Sequence, residues 1–389
     1  MTRPVSYQAH FSRFLRAAPG RLHFAAHSHH PWPDVTFDAH QQAWHDAARL
    51  ADLKWDRVFG EVVPEAQAHV ARVLSLPDPR TIVFAPSTHE LVMRLLSALP
   101  LRPLRVLTTD GEFHSFSRQL KRLEEAGAAH ARRIAVEPFA SFPGRLREAI
   151  GRGAYDLLYF SQCFYNTGYR LTDLDALVRA VPEPDVPVVI DGYHGYMAVP
   201  TDWSAIAHRA FYVAGGYKYA MAGEGVCFMH CPPGRALRPH DTGWYAEFGA
   251  LGETRRGKVA YGADGSRFLG ATFDPSGLYR FNAVQRWAQI EGVDPASVRS
   301  HVQQLQQHFL REIDALAHQH LNRATLRPAA GTRGNFFCFM TPLAESLCRA
   351  WMNDNIVTDC RGDRLRIGFG IYQGISDLEA FLRRISRQH

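Results

Sequence analysis

One lysine stands in a setting that a solvated surface does not explain. Lys218 lies between Tyr217 and Tyr219 in the stretch GGYKYAMAGEG, residues 215–225, which contains four glycines. A surface lysine keeps its ammonium group in water. Burial among aromatic rings lowers the pKa of a lysine, and the neutral amine is then a nucleophile that captures aldehydes. Lys218 is therefore predicted to be a catalytic residue.

An acidic side chain ends the most apolar predicted strand, DVPVVID, residues 185–191. A lone aspartate at a strand end is often only a helix cap. Asp191, however, is followed three residues later by His194 and is accompanied in the chain by Lys218. Pyridoxal phosphate needs such a lysine, an acid near its ring nitrogen, a group that stacks on its ring and a cradle for its phosphate. The sequence offers a candidate for each.

The cradle is predicted where a helix follows the strand TIVFAPS. Ser87 and Glu90 form an S-x-x-E capping box, and an apolar stripe follows them. A helix N-terminus at the carboxyl end of a parallel strand binds anions, and the Ser87 and Thr88 hydroxyls would add to it. An ordinary cap explains Ser87 and Glu90 equally well.

The elements that must position these residues alternate along the chain. Seven short apolar runs, most with helical segments between them, predict an α/β layer with a largely parallel sheet. They are RTIVFAPS, LRVLTTDG, ARRIAVEP, YDLLYFSQ, DVPVVIDG, RAFYVAGG and GVCFMHCPP. A mixed pattern of strands and helices follows. We predict an N-terminal helical segment (1–20), a large domain (21–275) and a small α/β domain (276–389).

The composition excludes several classes of protein. The 389 residues are 46% hydrophobic and 21% charged, as in a folded chain. The net charge of +6 is spread along the sequence, which disfavours a nucleic-acid partner. Six cysteines without framework spacing, no signal-peptide core and no membrane-length apolar run predict a cytoplasmic protein that does not bind a membrane.

Two segments together resemble a known family. VVIDGYHGYMAVPTDW followed by VAGGYKYAMAGEG is similar to the aspartate and lysine segments of class V, fold-type I pyridoxal phosphate enzymes, and most of all to kynureninases. Tyr217, Tyr219 and the Gly-x-Gly behind them belong to the kynureninase version, whereas cysteine desulfurases usually have a histidine directly before the lysine. The resemblance implies a large domain with a mainly parallel seven-stranded sheet plus a small α/β C-terminal domain. It also implies pyridoxal 5'-phosphate on Lys218 and a homodimer with shared active sites.

The resemblance extends to FAPSTHELVMRLLSAL, GEFHSF, YFSQCFYNTGYRLTDLDAL, TGWYAEF, FLGATFDP and VTDCRGDRLRIGFGIYQGISDLEAF. The catalytic residues it implies are Lys218, Asp191, His194 and Tyr217. Its implied cofactor contacts are Ser87, Thr88, Phe113 (the ring-stacking residue), Asp191, His194, Tyr217, Lys218, Trp244 and Thr272. Its implied substrate contacts are Arg366, for the α-carboxylate, with Asn166, His27 and Ser28; Arg333 and Arg361 are alternatives to Arg366.

The chain departs from kynureninases at two places where substrate is expected. AAHSHHPWP replaces an Asn-Ser-Leu-Gly-like turn, and Phe113 is followed by His-Ser-Phe without the family's acid. The histidines of that turn, with His23, suggest a metal site, but no Cys or Glu accompanies them at ligand spacing. We predict no metal and place these histidines at the substrate entrance.

The expected reaction is kynureninase-like hydrolysis, in which the Cβ–Cγ bond of kynurenine or a related amino acid is cleaved to an aryl acid and alanine. A class V aminotransferase and a cysteine desulfurase-like β-lyase stay open, because the cofactor motifs serve all three reactions. A binding protein without catalysis is disfavoured, because every cofactor group has its residue.

Overall fold

The computed structural model describes residues 6–100, 102–250 and 257–386. Within those ranges the strands are, in chain order, β1 (Leu22–His23), β2 (Ile82–Ala85), β3 (Leu104–Thr109), β4 (Ala129–Ile134), β5 (Leu157–Ser161), β6 (Val188–Asp191), β7 (Ala210–Gly215), β8 (Cys227–His230), β9 (Leu326–Arg327), β10 (Phe336–Met340), β11 (Ile356–Val357), β12 (Asp359–Arg361) and β13 (Arg364–Gly368).

The α-helices of the same ranges are α1 (Ser12–Ala17), α2 (Val35–Leu50), α3 (Lys54–Arg57), α4 (Val63–Leu74), α5 (Thr88–Ser97), α6 (His114–Glu125), α7 (Phe142–Gly151), α8 (Leu174–Arg179), α9 (Ser276–Ile290), α10 (Pro295–Leu316), α11 (Ala344–Asn353) and α12 (Ile375–Ile385). Short 3-10 turns lie at Gln8–Phe11, Ala51–Leu53, Pro79–Thr81, Trp244–Ala250, Gly265–Phe268 and Ala330–Thr332, and a π-helical turn lies at Val58–Val62.

A seven-stranded sheet of order β2-β8-β7-β6-β5-β3-β4 forms the centre of the molecule. Strand β8 runs antiparallel to both of its neighbours, and the other neighbouring pairs are parallel. All seven predicted strands and the mainly parallel sheet are confirmed. The inner strands β5, β6 and β7 read as nearly continuous apolar runs because helices cover both faces of such a sheet.

The carboxyl ends of β3, β5, β6 and β7 share one edge of this sheet because these strands are parallel. Asp191 is the last residue of β6, and Lys218 follows β7 by three positions. Residues far apart in the chain therefore meet at this edge, which is where open α/β sheets bind ligands.

Helix α5 begins where the capping box predicts. Ser87 Oγ accepts a hydrogen bond from the backbone N–H of Glu90 at 3.2 Å. Leu91 and Leu95 are buried against the sheet. The cap satisfies one free N–H, and the N-terminus of the helix lies just beyond β2.

A second, antiparallel sheet of order β12-β13-β10-β9 belongs to the C-terminal part of the chain. Helices α10 and α12 contact each other beside it, and β1 pairs in parallel with β11. Helix α9 instead packs against α2 and shares the core of the large sheet. The domain boundaries at residues 20 and 275 stay a prediction, and residues 1–5 and 387–389 of the outer segments lie outside the described residues.

None of the helices described here is both long and apolar enough to cross a membrane.

Candidate active site

Lys218 is buried, with 5% of its surface exposed. Its Nζ lies 4.4 Å from the centre of the Tyr193 ring and 5.4 Å from the centres of the Phe113 and Tyr217 rings. Burial lowers the pKa of the amine to about 8, and the negative charge of Asp191 opposes that shift. With a pKa of about 8, roughly a tenth of Lys218 is neutral at pH 7, far more than of a lysine with the ordinary value of 10.5.

The glycines around Lys218 allow its loop to fold tightly. A Cβ atom at Gly216 would lie 2.5 Å from the carbonyl oxygen of Gly223, and Gly223 itself has a φ of +74°. A side chain at either position would clash or strain the backbone. The close backbone approach indicated by the motif is thus what fixes Lys218 between the aromatic rings.

Asp191 receives hydrogen bonds from neutral donors. Its Oδ2 accepts from the Tyr159 hydroxyl at 3.2 Å, and its Oδ1 accepts from the backbone N–H of Tyr193 at 2.9 Å. Burial raises the pKa of Asp191, while these hydrogen bonds and the charge of Lys218 oppose the rise. A carboxylate held in this way is stabilised further by a cationic group, which suits a protonated ring nitrogen.

Tyr159, which donates to Asp191, and Glu112, whose pKa Asp191 affects, are polar neighbours of this acid. The Tyr159 ring stacks on Phe116 with ring centres 3.6 Å apart. Glu112 is buried and accepts hydrogen bonds from the hydroxyls of Thr109 and Ser161, at 2.6 and 2.5 Å. Burial raises the pKa of Glu112 to about 8. Glu112 is therefore largely protonated at neutral pH and adds little negative charge beside Asp191.

A cleft opens between α5, α6 and the end of β6. It contains about 320 Å³ of empty space, part of it open to solvent, and its walls include Thr88, Phe113, Tyr159 and Asp191. A larger cavity, with about 2010 Å³ of empty space, lies at the opposite edge of the sheet near Arg105 and contains none of the predicted site residues. We place the site at the smaller cleft, because Asp191 and the N-terminus of α5 line it and because Phe113, which also lines it, is the ring 5.4 Å from the Lys218 amine.

The turn AAHSHHPWP covers the lysine loop. The His29 ring stacks on Tyr217 with centres 5.0 Å apart, and the backbone N–H of His30 donates to the Tyr217 carbonyl at 2.9 Å. The Ser28 hydroxyl pairs with the His29 ring at 3.2 Å. The turn thus lies at the mouth of the site, while Ser28 itself bonds to its neighbour.

Two further histidines flank the ring of Phe336. His27 stacks on it with centres 4.2 Å apart, and His194 approaches at 5.7 Å. Both are buried, and burial, reinforced by the positive charges of Lys218 and Arg366, lowers the pKa of each well below its usual value. His194 Nδ1 and both ring nitrogens of His27 are buried without a hydrogen-bond partner.

Arg366 is brought to the same cluster by β13. It is 2% exposed, and its guanidinium carbon lies 5.9 Å from the centre of the Phe336 ring. Its charge also acts on Lys218. Asn166, on the loop after β5, holds its Oδ1 buried without a partner. Of the two alternatives, Arg333 donates to the Pro328 carbonyl, whereas Arg361 pairs with Asp359, the carboxylate that also pairs with Arg366.

Trp244 and Thr272 are bonded to each other. Trp244 Nε1 donates to Thr272 Oγ1 at 3.1 Å, and the Trp244 side chain is 40% exposed. The contact of Trp244 and Thr272 with a neighbouring subunit's cofactor stays a prediction. The individual roles of the other site residues stay predictions as well.

Sequence reasoning missed four residues of the site. Tyr193 and Tyr159 surround Lys218 and Asp191, and Phe336 and Asp359 surround Arg366. Tyr193 lies two residues after Asp191, so the motif DGYHGY contained a signal for it. Phe336 and Asp359 lie in ordinary strand sequences and carried none.

The residues present fit pyridoxal phosphate. Within residues 6–100, 102–250 and 257–386, no side chain forms a hydrogen bond or an ion pair with the Lys218 amine. His194, Asn166 and Arg366 each hold a buried polar atom without a partner. Buried polar atoms without partners are rare in folded proteins, and a polar ligand between these elements would satisfy them.

A buried lysine and an acid at the carboxyl edge of a sheet flanked by helices form an arrangement that suits an aldehyde cofactor. The chain belongs to the class-V aminotransferase family, whose model matches residues 39–341. Members of this family use pyridoxal phosphate, so the predicted cofactor and the enzyme class are confirmed.

Relatives with solved structures confirm the fold-type I class. A C-DES mutant with glycine covalently linked to the PLP cofactor superposes with a TM-score of 0.83 at 17% identity, covering 98% of this chain and 99% of that one. C-DES, a cystine C–S lyase, in complex with its reaction product cysteine persulfide, gives 0.80 at 16% identity over 96% and 99%. The apo cysteine desulfurase from Thermococcus onnurineus NA1 gives 0.81 at 13% identity over 100% and 99%.

A curated relative is more similar in sequence but over a shorter length. Isopenicillin N epimerase from Streptomyces clavuligerus is 26% identical over 209 residues, which are 51% of this chain and 52% of the relative. The match therefore spans about half of each protein. These similarities support the family and not the kynureninase assignment, which stays a prediction.

Proposed function

We propose that this protein is a pyridoxal phosphate-dependent lyase that expels a sulfur substituent from the β-carbon of an amino acid. The Lys218 amine, buried among three aromatic rings with its pKa lowered to about 8, supports the cofactor chemistry. Near neutral pH such an amine accepts a proton from a neighbouring carbon acid, since its pKa is close to the working pH. The choice of a lyase is carried by the similarity to C-DES, which is named a cystine C–S lyase, together with the burial of Cys163 and Cys227.

Each neighbouring residue has a proposed task. Bound pyridoxal phosphate supplies an electron sink for a carbanion next to the amino nitrogen. Asp191 holds the positive charge of the ring nitrogen, and Phe113 packs on one face of the ring. The free N–H groups at the start of α5, with Ser87 and Thr88, hold the phosphate. Arg366 binds the carboxylate of the substrate.

The proposed β-elimination balances without a redox partner. Lys218 takes the α-proton, and the bond between the β-carbon and sulfur breaks with its electron pair on sulfur. Hydrolysis of the remaining three-carbon unit gives pyruvate and ammonium. The sulfur leaves as a thiol, or as a persulfide when the substrate is a disulfide such as cystine.

The two cysteines that affect the pKa of Lys218 favour release of the sulfur product over its storage beside this lysine. Cys163 and Cys227 are the cysteines whose charges act on Lys218, and both are buried. Burial raises the pKa of each thiol to about 11. The thiolate is the nucleophilic form of cysteine, so neither is suited to accept sulfur near neutral pH. This supports a C–S lyase of the kind that C-DES is named as, rather than a persulfide carrier.

A kynureninase-like hydrolase is the second proposal, and the tyrosines around Lys218 favour it. Tyr219, however, lies with its hydroxyl 3.1 Å from the Asn335 carbonyl and 2.9 Å from the Phe369 carbonyl. These contacts tie the lysine loop to the residue before β10 and to the residue after β13. A tyrosine with this anchoring role suits either reaction, so the lyase remains our first proposal.

Product analysis tests the two reactions against each other. The cofactor-loaded protein is incubated separately with L-cystine and with L-kynurenine, without a keto acid, and the products are followed by mass spectrometry over repeated turnovers. Pyruvate with cysteine persulfide supports the lyase. Anthranilate with alanine would instead establish the hydrolase, and amino transfer only after a keto acid is added would establish an aminotransferase. The Lys218→Ala variant serves as the control that reports uncatalysed chemistry.

A further inference from the structure

The guanidinium of Arg366 is already held on two sides by the protein. One terminal nitrogen donates to the backbone carbonyl of Tyr165, and the other forms an ion pair with Asp359. Asp359 lies directly opposite Arg366 in the β12–β13 pair and is itself paired with Arg361 at 2.7 Å. Two strands therefore fix the direction of the guanidinium.

The rest of the guanidinium remains available for a ligand. Arg366 Nε is buried and has no hydrogen-bond partner, although Arg366 as a whole is only 2% exposed. Its neighbours include the Phe336 ring and His27, which is held neutral by burial and whose Nε2 lies 3.7 Å from Asp359 Oδ2. A buried donor without a partner costs free energy until a ligand accepts from it.

We propose that Asp359 is a positioning residue that acts through Arg366, holding the guanidinium so that its free edge receives the carboxylate of the amino-acid substrate. The inference rests on the proposed function for the assignment of an amino acid to this site, and it extends that function to a residue outside the cofactor-binding elements.

Burial and geometry give Asp359 two tasks in this role. A guanidinium at 2% exposure without a nearby carboxylate is costly, so the ion pair keeps Arg366 charged while the site is empty. The ion pair also orders the Arg366 side chain before the substrate binds, which reduces the entropy lost on binding. Both tasks predict that removing the Asp359 charge weakens carboxylate binding.

A competing role for Asp359 would change carboxylate binding in the opposite direction. If Asp359 competed with the substrate for Arg366, its carboxylate would repel the incoming carboxylate. Removal of its charge would then strengthen binding. The ratio of the dissociation constants of one ligand with the carboxylate and one without it decides between the positioning role and the competing role.

The experiment titrates the cofactor-loaded protein with L-alanine and with L-alaninamide and follows the visible absorption change. Alanine has no leaving group on its β-carbon, so the test does not depend on the lyase reaction. The ratio of the two dissociation constants isolates the contribution of the carboxylate. The variants are Asp359→Asn, Asp359→Glu and, as a matched control, Asp363→Asn, whose side chain is 54% exposed and pairs with Arg364.

We expect the wild-type protein to bind alanine more tightly than alaninamide. In Asp359→Asn the preference falls by about tenfold or more, because a buried charge pair has lost one partner. Alaninamide binding and the preference of Asp363→Asn stay unchanged. Asp359→Glu keeps the charge on a longer side chain and loses less of the preference, which provides a second reading should the Asn variant fold poorly.

An unchanged or increased preference in Asp359→Asn would overturn the inference. A wild-type protein that binds alanine and alaninamide equally would also overturn it, since Arg366 would then not receive the carboxylate. That result would not bear on the lyase reaction, which product analysis tests separately. Thermal unfolding and the spectrum of the loaded protein before titration show whether each variant retains the fold and the cofactor.

Discussion

The amine of Lys218 lies 4.4 Å from the centre of the Tyr193 ring, in the middle of an aromatic enclosure at the carboxyl edge of the sheet. The ring face stabilises a cation, whereas burial favours the neutral amine. Burial is the larger effect here, since the pKa of Lys218 is lowered to about 8. The balance gives a lysine that is chemically active near neutral pH and still able to carry a proton.

Covalent attachment of the cofactor should depend on this lysine. Borohydride reduction of the loaded protein, followed by peptide mass spectrometry, is expected to place the cofactor on the peptide that contains Lys218. Lys218→Ala should abolish the attachment. Lys121, an exposed lysine on α6, provides the control, and label that persists in Lys218→Ala would contradict our assignment.

The rate of cofactor capture should follow the lowered pKa of Lys218. The neutral amine is the reacting form, so we expect the rate to rise with pH and to level off above pH 8, more than two units below the ordinary value of 10.5. Stopped-flow absorption of the apo protein mixed with pyridoxal phosphate measures this profile. A rate that still climbs tenfold per unit above pH 9 would show that burial does not lower the pKa.

Asp191 and Tyr159 should affect cofactor binding to different degrees. Asp191→Asn removes the charge opposite the ring nitrogen, and we expect turnover to fall by a factor of about 100 or more. Tyr159→Phe removes one hydrogen bond of 3.2 Å to that carboxylate and should weaken the cofactor by about tenfold. Spectral titration with the cofactor and initial rates measure both. A larger loss of turnover in Tyr159→Phe than in Asp191→Asn would contradict this order.

Glu112 should make the stability of the apo protein depend on pH. Its pKa is raised by burial from 4.5 to about 8, so the folded state binds one proton more than the unfolded state between those values. The free energy of unfolding therefore falls as pH rises through this window, by up to about 1.4 kcal/mol per unit from this group. Glu112→Gln, which mimics the protonated acid, should flatten this dependence.

Urea unfolding at pH 5 and pH 8 measures the effect. The variant is expected to match the wild type most closely at pH 5 and to gain relative stability at pH 8. Because Asp191 is present in both proteins, its own titration largely cancels in the comparison. Equal differences between the two proteins at both pH values would refute a raised pKa for Glu112.

The proposed shared active site of a homodimer makes a complementation test possible. If Trp244 serves the neighbouring subunit, an inactive Lys218→Ala dimer mixed with an inactive Trp244→Ala dimer should regain activity. Random exchange makes half of the dimers mixed, each with one intact site, so about a quarter of the sites should recover. Light scattering of the purified protein gives the oligomeric state. A fully active monomer would contradict the proposal.

The sequence by itself determined the local parts of this enzyme. The apolar runs predicted seven strands, and Ser87 and Glu90 predicted the start of α5, because a strand or a cap depends on residues close together in the chain. Lys218 and Asp191 were predicted as site residues for the same reason: each is a charged residue in an otherwise apolar or glycine-rich segment. A buried charge in an apolar or glycine-rich stretch is a signal that needs no knowledge of distant residues.

Only the tertiary structure decided what surrounds these residues. Phe336 comes to lie between His27 and His194, and Asp359 pairs with Arg366, through the folding of the C-terminal sheet against the first one. The pairing of β12 with β13 sets which side chains face each other, and a shift of one residue would turn Asp359 away from Arg366. Such contacts depend on register and packing between distant segments, so the environment that tunes Lys218 and orients Arg366 exists only in the folded chain.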